Sequence, residues 1–274
     1  MADPDAFHPT RRSLQLSVSG EQARILPDEH DDGWVLEIGG AVQSHVDLHD
    51  PTRIRYEYLR RVANVLDAGW PRSRPFRILH LGAGALTLPR YVQHTRPGSV
   101  QTVVDLDREL PTLVCSALPL PEGTDLTVVI GDARDALLRL EHQTFDAVIL
   151  DIDTAADAAG HLTGRQFYGE LLERLADPGV LLVNIGDDTG LRFLARQAQA
   201  LESAAATAGL TGTWTLADAT MLDRRQAGNA VLAAGSALDG QDQADLRTGL
   251  LAAGPHPAAV LDPQQTAALA ARIG

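Results

Sequence analysis

The stretch Ile78-Leu79-His80-Leu81-Gly82-Ala83-Gly84-Ala85 runs an apolar, strand-like segment into a Gly-x-Gly turn. Glycines at such a turn let the backbone approach a ligand closely, and the N-terminus of the helix beyond favours polar or anionic groups. Asp105 lies 23 positions after Gly82, at the end of the next strand-like run. An acid about 20 residues past such a turn is placed to accept both hydroxyls of a ribose. Turn and acid together point to a nucleoside site rather than a plain strand–helix connection. Gly131, Asp132 and Ala133 follow the third strand. Asp132 suits the amino group of an adenine or the cap of the helix it precedes, and the two roles are compatible. Asp151 ends the fourth strand. Ligands of open α/β sheets bind beyond the carboxyl ends of the strands, so this acid faces the reacting part of a ligand, not its base. Asp153 and Asp157 follow in a small-residue stretch that reads as a lid or as a solvated acidic loop.

Other reactive residue types fit structural roles better. His45 and His49 are four apart, but in a strand and a turn, where they point to different neighbours. No metal site is expected. His80, inside the first sheet strand, reads as a core histidine, and Cys115 as a small buried filler. Asp107 reads as a helix cap. Phe167 and Tyr168 read as core or lid packing, with Tyr168 a candidate to line a substrate cleft. Asp187 and Asp188 open a helix or form a cleft wall.

Composition narrows the function classes. All 23 basic residues are arginine, which excludes Schiff-base lysine chemistry and a Walker-type phosphate loop. One cysteine excludes a disulfide framework and a Cys-rich zinc site. A net charge of −13 argues against nucleic-acid binding and is compatible with a cationic small substrate. No apolar run approaches a membrane span, and Met1-Ala2-Asp3-Pro4-Asp5 is not a secretory start, so a cytoplasmic location is expected.

The elements that must position these residues alternate strand and helix. Runs at Arg77–Leu81, Val100–Asp105, Leu126–Ile130, Phe145–Asp151 and Val180–Ile185 are short and β-branched, with helical stretches between. This pattern predicts a Rossmann-like α/β domain over residues 51–235, with a seven-stranded, mostly parallel sheet covered on both faces. Trp214–Ala217 and Ala230–Ala233 supply its two closing strands. Residues 1–50 read as a β-strand extension, a hairpin or small meander broken at Asp31-Asp32-Gly33 and Gly39-Gly40. Asp50-Pro51 reads as N-cap and first residue of a helix ending at Gly69. A second helix spans about Leu191 to Ala208 after a Thr189 cap. Residues 236–274 read as a helical, Ala-rich tail, with a capping box at Asp262-Pro263-Gln264-Gln265.

In order and spacing, these segments resemble the spermidine synthase-like (polyamine aminopropyltransferase) family of the class I adenosylmethionine-dependent methyltransferase superfamily. The resemblance runs from about Gly33 to Gly235. Gly40-Ala41-Val42-Gln43 is similar to the family's Gly-x-x-Gln, Gly82-Ala83-Gly84 to its glycine loop and Asp105-Leu106-Asp107 to its acid-x-Asp. Gly131-Asp132-Ala133 is similar to its adenine-side motif, and Asp151 to its catalytic-loop aspartate. Leu162-Thr163, Phe167-Tyr168 and Asp177-Pro178-Gly179 follow its downstream pattern. The resemblance implies decarboxylated S-adenosylmethionine or S-adenosylmethionine as cofactor and no metal. It also implies an amine substrate, a homodimer, Asp151 with Asp153 as catalytic acids, and Gln43 as a nucleoside contact.

Three departures qualify it. The aspartate that in the family holds the amine of the decarboxylated cofactor is Ala85 here. The family's Asp-x-x-Asp-Pro is Asp151-Ile152-Asp153-Thr154-Ala155, with Asp153 one place early. The tyrosine–acid pair of the diamine site has only Tyr56-Glu57, out of step, as its counterpart. Losing the acid at position 85 removes an attraction for a cationic cofactor tail and a repulsion against a carboxylate. The substitution therefore weakens the polyamine reading and leaves methyl or aminocarboxypropyl transfer open. On the resemblance, aminopropyl transfer to a polyamine is still the first reading. Methyl transfer to a small nucleophile is the second, and a nucleoside-binding protein without catalysis the third.

Overall fold

The computed structural model describes residues 10–152 and 157–274. Four N-terminal strands, β1 (Arg12–Gln15), β2 (Gln22–Pro27), β3 (Trp34–Ile38) and β4 (Ala41–Val46), form an antiparallel meander in that order. One face of the meander is apolar. Ala23, Ile25, Leu36 and Val46 bury against Ala85, Leu86, Val103 and Val114 of the larger unit. The strand extension is thus the wall behind the glycine loop.

The larger unit holds α1 (Glu57–Gly69), β5 (Arg77–Leu81), α2 (Thr87–Thr95), β6 (Val100–Asp105), α3 (Glu109–Ala117), β7 (Asp125–Ile130) and α4 (Ala133–Arg139). It continues through β8 (Phe145–Leu150), α5 (Gly164–Leu172), β9 (Leu175–Asp187), α6 (Arg192–Thr207), β10 (Trp214–Asp218), α7 (Ala219–Arg224) and β11 (Gly228–Ala234). After α8 (Ser236–Asp239) and α9 (Gln243–Ala253) come β12 (Ala258–Leu261) and α10 (Pro263–Ile273). Strand order is β12-β10-β11-β9-β8-β5-β6-β7. Strands β5 to β9 pair in parallel, and β11, β10 and β12 each pair antiparallel with their neighbours, which leaves β10 in the direction of the parallel strands. The period-2 alternation of buried strands separates two cores. Ile78, Ala147, Ile149 and Leu182 face α1, α2 and α9, whereas Leu79, Val148, Leu181 and Val183 face α5, α6 and α10.

The Rossmann-like, mostly parallel sheet is the predicted architecture, with eight strands instead of seven. The extra strand, β12, comes from the segment read as wholly helical. It is only four residues long and pairs with β10, a long-range partner that an Ala-rich sequence does not announce. The capping box of α10 forms, with Asp262 and Gln265 exchanging hydrogen bonds.

Two helix starts differ from expectation. Helix α1 begins at Glu57, not at Pro51. Asp50 instead closes a local turn, its carboxylate accepting the Thr52 N–H at 3.0 Å and the Thr52 hydroxyl at 2.6 Å. Helix α6 is capped from a distance by Asp187, not by Thr189. The Asp187 carboxylate accepts the Leu194 N–H at 2.7 Å. Among the described residues no helix is long and apolar enough to cross a membrane.

Candidate active site

Three strand ends meet at Gly82. Its N–H donates to the Val104 carbonyl at 2.9 Å, and the Asp151 N–H donates to the Leu81 carbonyl at 2.9 Å. Gly82 has φ +102°, and a Cβ there would lie 2.2 Å from the Asp151 carbonyl oxygen. Only glycine admits both the conformation and the approach. Asp105, at the end of β6, holds the loop: one carboxylate oxygen accepts the Ala83 N–H at 3.0 Å, the other the Asp107 N–H at 2.9 Å. Burial pushes the Asp105 carboxyl up, and those two N–H groups pull against it. Beside it Leu106 is 52% exposed, a large apolar side chain open to a flat ligand face. Gly84 and Ala85 lie against β4, where the Ser44 hydroxyl accepts the Ala85 N–H at 3.2 Å. Gln43 is exposed on the same strand.

The end of β7 joins this edge, with the Gly131 N–H donating to the Asp105 carbonyl at 2.9 Å. Ala133 is buried in the first turn of α4. Asp132 caps that helix, one oxygen accepting the Arg134 and Asp135 N–H groups at 2.8 and 3.2 Å. Its second oxygen lies 2.6 Å from His161 Nε2. Burial pushes the Asp132 carboxyl up, but His161 and the two N–H groups outweigh it and hold it below the usual carboxylate range.

Asp151 stands where β8, β9 and α1 converge. Asn184 donates to one carboxylate oxygen at 2.8 Å and the Tyr58 hydroxyl to the other at 3.3 Å. The Asn184 carbonyl in turn accepts from Asn229 at 3.2 Å, which fixes which end of the Asn184 amide faces Asp151. Burial raises the Asp151 carboxyl above its ordinary range, while Asn184 and Tyr58 oppose that rise. Burial, with Asp151 beside it, raises the Tyr58 phenol far enough that it remains a donor. The Tyr56 ring lies 6.3 Å from that of Tyr58 and tilted to it. Removing the phenol by Tyr58→Phe should raise the Asp151 carboxyl further, because the lost bond favours the charged form. Carboxyl-carbon NMR titration checks the direction; an unchanged or lower midpoint contradicts it.

Residue by residue, the structure brings Gly82, Ala83, Gly84, Asp105, Leu106, Gly131, Asp132, Ala133 and Asp151 to one edge of the sheet. Tyr56 caps the start of α1, its ring beside that of Tyr58. Asp153 lies outside the described residues. Tyr168 is a correction: its ring is fully buried and its hydroxyl donates to Gln197 at 2.8 Å, so it ties α5 to α6 and lines no cleft. Glu57 pairs with Arg61 at 3.0 Å, away from Asp151. Tyr58 and Asn184 are the residues missed. Asn184 had a sequence signal as the single polar residue in the run Val180–Ile185.

His80, His45 and Cys115 pack within the fold. His80 is buried against Gln101 at 3.0 Å, and burial pushes it down to about 4. Burial likewise raises the Cys115 thiol, which suits a filler and not a nucleophile. His45 is buried with Asp31 at 3.0 Å and Asp28 at 3.8 Å; those acids also face Arg53 and Arg55. The group is an ion-paired clasp between the meander and the segment leading into α1.

No family model matches the chain. It is 26% identical over 212 residues to the polyamine aminopropyltransferase of Chromobacterium violaceum, an alignment spanning 74% of this chain and 79% of that protein. Among solved structures it is similar to a probable spermidine synthase from Corynebacterium glutamicum, at 26% identity and a TM-score of 0.78. That match covers 96% of this chain and 94% of the other. Human methyltransferase-like protein 13, solved in complex with SAH, shares the fold at a TM-score of 0.53 and 16% identity, covering 73% of this chain and 91% of the other.

Proposed function

We propose that this chain, spermidine synthase-like in sequence and fold, transfers an alkyl group from an adenosyl-sulfonium co-substrate to a small amine. Aminopropyl-type transfer is the reading its relatives support. The observation that carries it is the contact at Gly82, which places the Asp105-held loop directly against Asp151. In this reading Asp105 takes the ribose hydroxyls, Leu106 and Ala133 flank the adenine, and Asp132 accepts its amino group. Gln43 orients the nucleoside from β4. The site fits such a group: a strained glycine gives the backbone approach, and an open apolar face lies beside a buried carboxylate.

The sulfonium supplies an activated carbon and a neutral thioether leaving group. Protein residues then have to align the amine and remove its proton. A C–N bond forms as the C–S bond breaks, the electron pair passes to sulfur, and the amine proton goes to Asp151. Asn184 and Tyr58 hold that carboxylate in place, and Tyr56 closes the α1 side. Methyl transfer is the second reading, favoured by the neutral Ala85 in the glycine loop.

Asp105→Ala tests the nucleoside end. It should weaken binding of methylthioadenosine by about 1–3 kcal/mol, the scale of a lost hydrogen bond to a charged group. Calorimetry measures this directly, and normal binding would place the ribose elsewhere. Product analysis with amines of increasing length, supplied with either sulfonium form, then tests the transfer itself.

A further inference from the structure

The eight-stranded sheet ends on β7, whose outer side pairs with no other described strand. Its last four residues, Thr127, Val128, Val129 and Ile130, are all β-branched, and it pairs with β6 without a bulge. It carries no proline and no basic residue, the usual devices that blunt a free edge. The opposite end of the sheet is blunted. There β12 has only four residues, and Arg247 donates to its Val260 carbonyl at 2.9 Å.

One bond fixes which groups face outward. The Gly131 N–H donates inward, to Asp105 on β6, so the Ile130 carbonyl of the same peptide unit points outward. Backbone groups alternate sides along a strand, so Leu126, Val128 and Ile130 turn theirs to the open edge. Two antiparallel copies of β7 satisfy all three only when Val128 faces Val128 and Leu126 faces Ile130. In that register Asp125 stands opposite Gly131.

Gly131 has no side chain, but Arg139 of α4 fills its place. The guanidinium lies 2.6 Å from where a Gly131 Cβ would be and donates to the Ile130 carbonyl at 3.3 Å. Asp125 shares a sheet face with Val129, which packs on the α4 side. Facing residues of a pair not joined by hydrogen bonds approach to about 4.5 Å between Cα atoms. Asp125 of one copy therefore meets Arg139 of the other, twice about the two-fold axis. Both side chains are exposed, and among the described residues Asp125 holds no ion pair and Arg139 no carboxylate. On the other face Val128, 38% exposed, is covered by its own counterpart.

We propose that the β7 edge seats a second copy of this chain, paired antiparallel about Val128 so that the two sheets become one. The charge match selects a copy over an unrelated strand, which would need to bring an acid to Arg139 and a cation to Asp125. The pairing stands whatever group the site transfers.

Sedimentation velocity of the full chain across the micromolar range is the test, and a dimer is expected. Asp125→Arg sets an arginine against Arg139, and Arg139→Asp sets an acid against Asp125. Each should weaken the dimer by about tenfold or more, the effect of like charges brought face to face. The double variant restores opposite charges and should restore the dimer. Far-UV circular dichroism matching the parent's shows that a variant is folded. If Arg139→Asp is not, Val128→Pro replaces it: that N–H faces away from β6, so its loss spares the ladder and should abolish the dimer. A monomeric parent overturns the proposal. So does a dimer that folded Asp125→Arg leaves as tight as before, or one that the folded double variant fails to recover.

Discussion

Asp151→Asn is expected to lower turnover by about 10²–10⁴-fold, the scale of a lost general base, with nucleoside affinity changed far less. The asymmetry follows from position. Asp151 touches the glycine loop through its main chain, which the substitution keeps, whereas its carboxylate faces Tyr58 and Asn184. The parent rate should fall as pH drops through the Asp151 midpoint, which burial places above the ordinary carboxylate range. The variant should lack that limb. Stability should move the other way. A carboxyl whose pKa is raised by folding stabilises the protein below its unfolded midpoint, and that contribution disappears as pH rises through the folded one. The new amide carries no charge to desolvate, can accept from Asn184 and can donate to the Tyr58 oxygen. A higher melting temperature at neutral pH together with lost turnover is the expected pair. Full turnover would remove Asp151 from the chemistry.

Gly82→Ala is expected to be the most damaging single methyl in the site. Its Cβ would overlap the Asp151 carbonyl oxygen at 2.2 Å, and φ of +102° is a conformation an alanine rarely adopts. Both neighbours are backbone, so neither yields by a rotamer change. A loss of about 3 kcal/mol or more follows from strain and clash together. What survives folding should also have lost methylthioadenosine binding and turnover, because relief of the clash separates the loop from Asp151. Denaturant unfolding and calorimetry measure the two effects. A variant as stable as the parent would mean that the close approach is not maintained in solution. Gly84→Ala provides the comparison: its φ of +48° is left-handed too, but the atom its Cβ would meet, the Ser44 hydroxyl oxygen at 2.8 Å, belongs to a side chain and not to the backbone.

The parts legible in the sequence were those written in local spacing. The glycine turn, the acid after β6 and the Gly131-Asp132-Ala133 corner all sit at strand ends, and a strand followed by a helix fixes which side of the sheet such an end occupies. The partners of these residues were not legible. Tyr58 reaches Asp151 across 93 positions, Asn184 across 33, and His161 reaches Asp132 across 29. No local periodicity encodes such separations. Helix starts failed where two local signals competed. Asp50-Pro51 satisfies the rule for a cap, yet Thr52 offers the same carboxylate a turn. Tyr168 failed for another reason: on an amphipathic helix, a tyrosine that faces a cleft and one that faces a neighbouring helix share the same spacing.

The meeting of strand ends at Gly82 also divides the proposed site into two parts that can be altered separately. In that reading the loops after β5, β6 and β7, with Gln43 of β4, hold the nucleoside. The wall opposite is assembled from Tyr58, Asn184 and Asn229, on α1, β9 and β11. The two parts meet at the main chain of Gly82 and Asp151. Substitutions on β9 and β11 are therefore free to reshape the acceptor side without touching the donor side, whereas any change in the loop after β5 has to respect the close approach at Gly82.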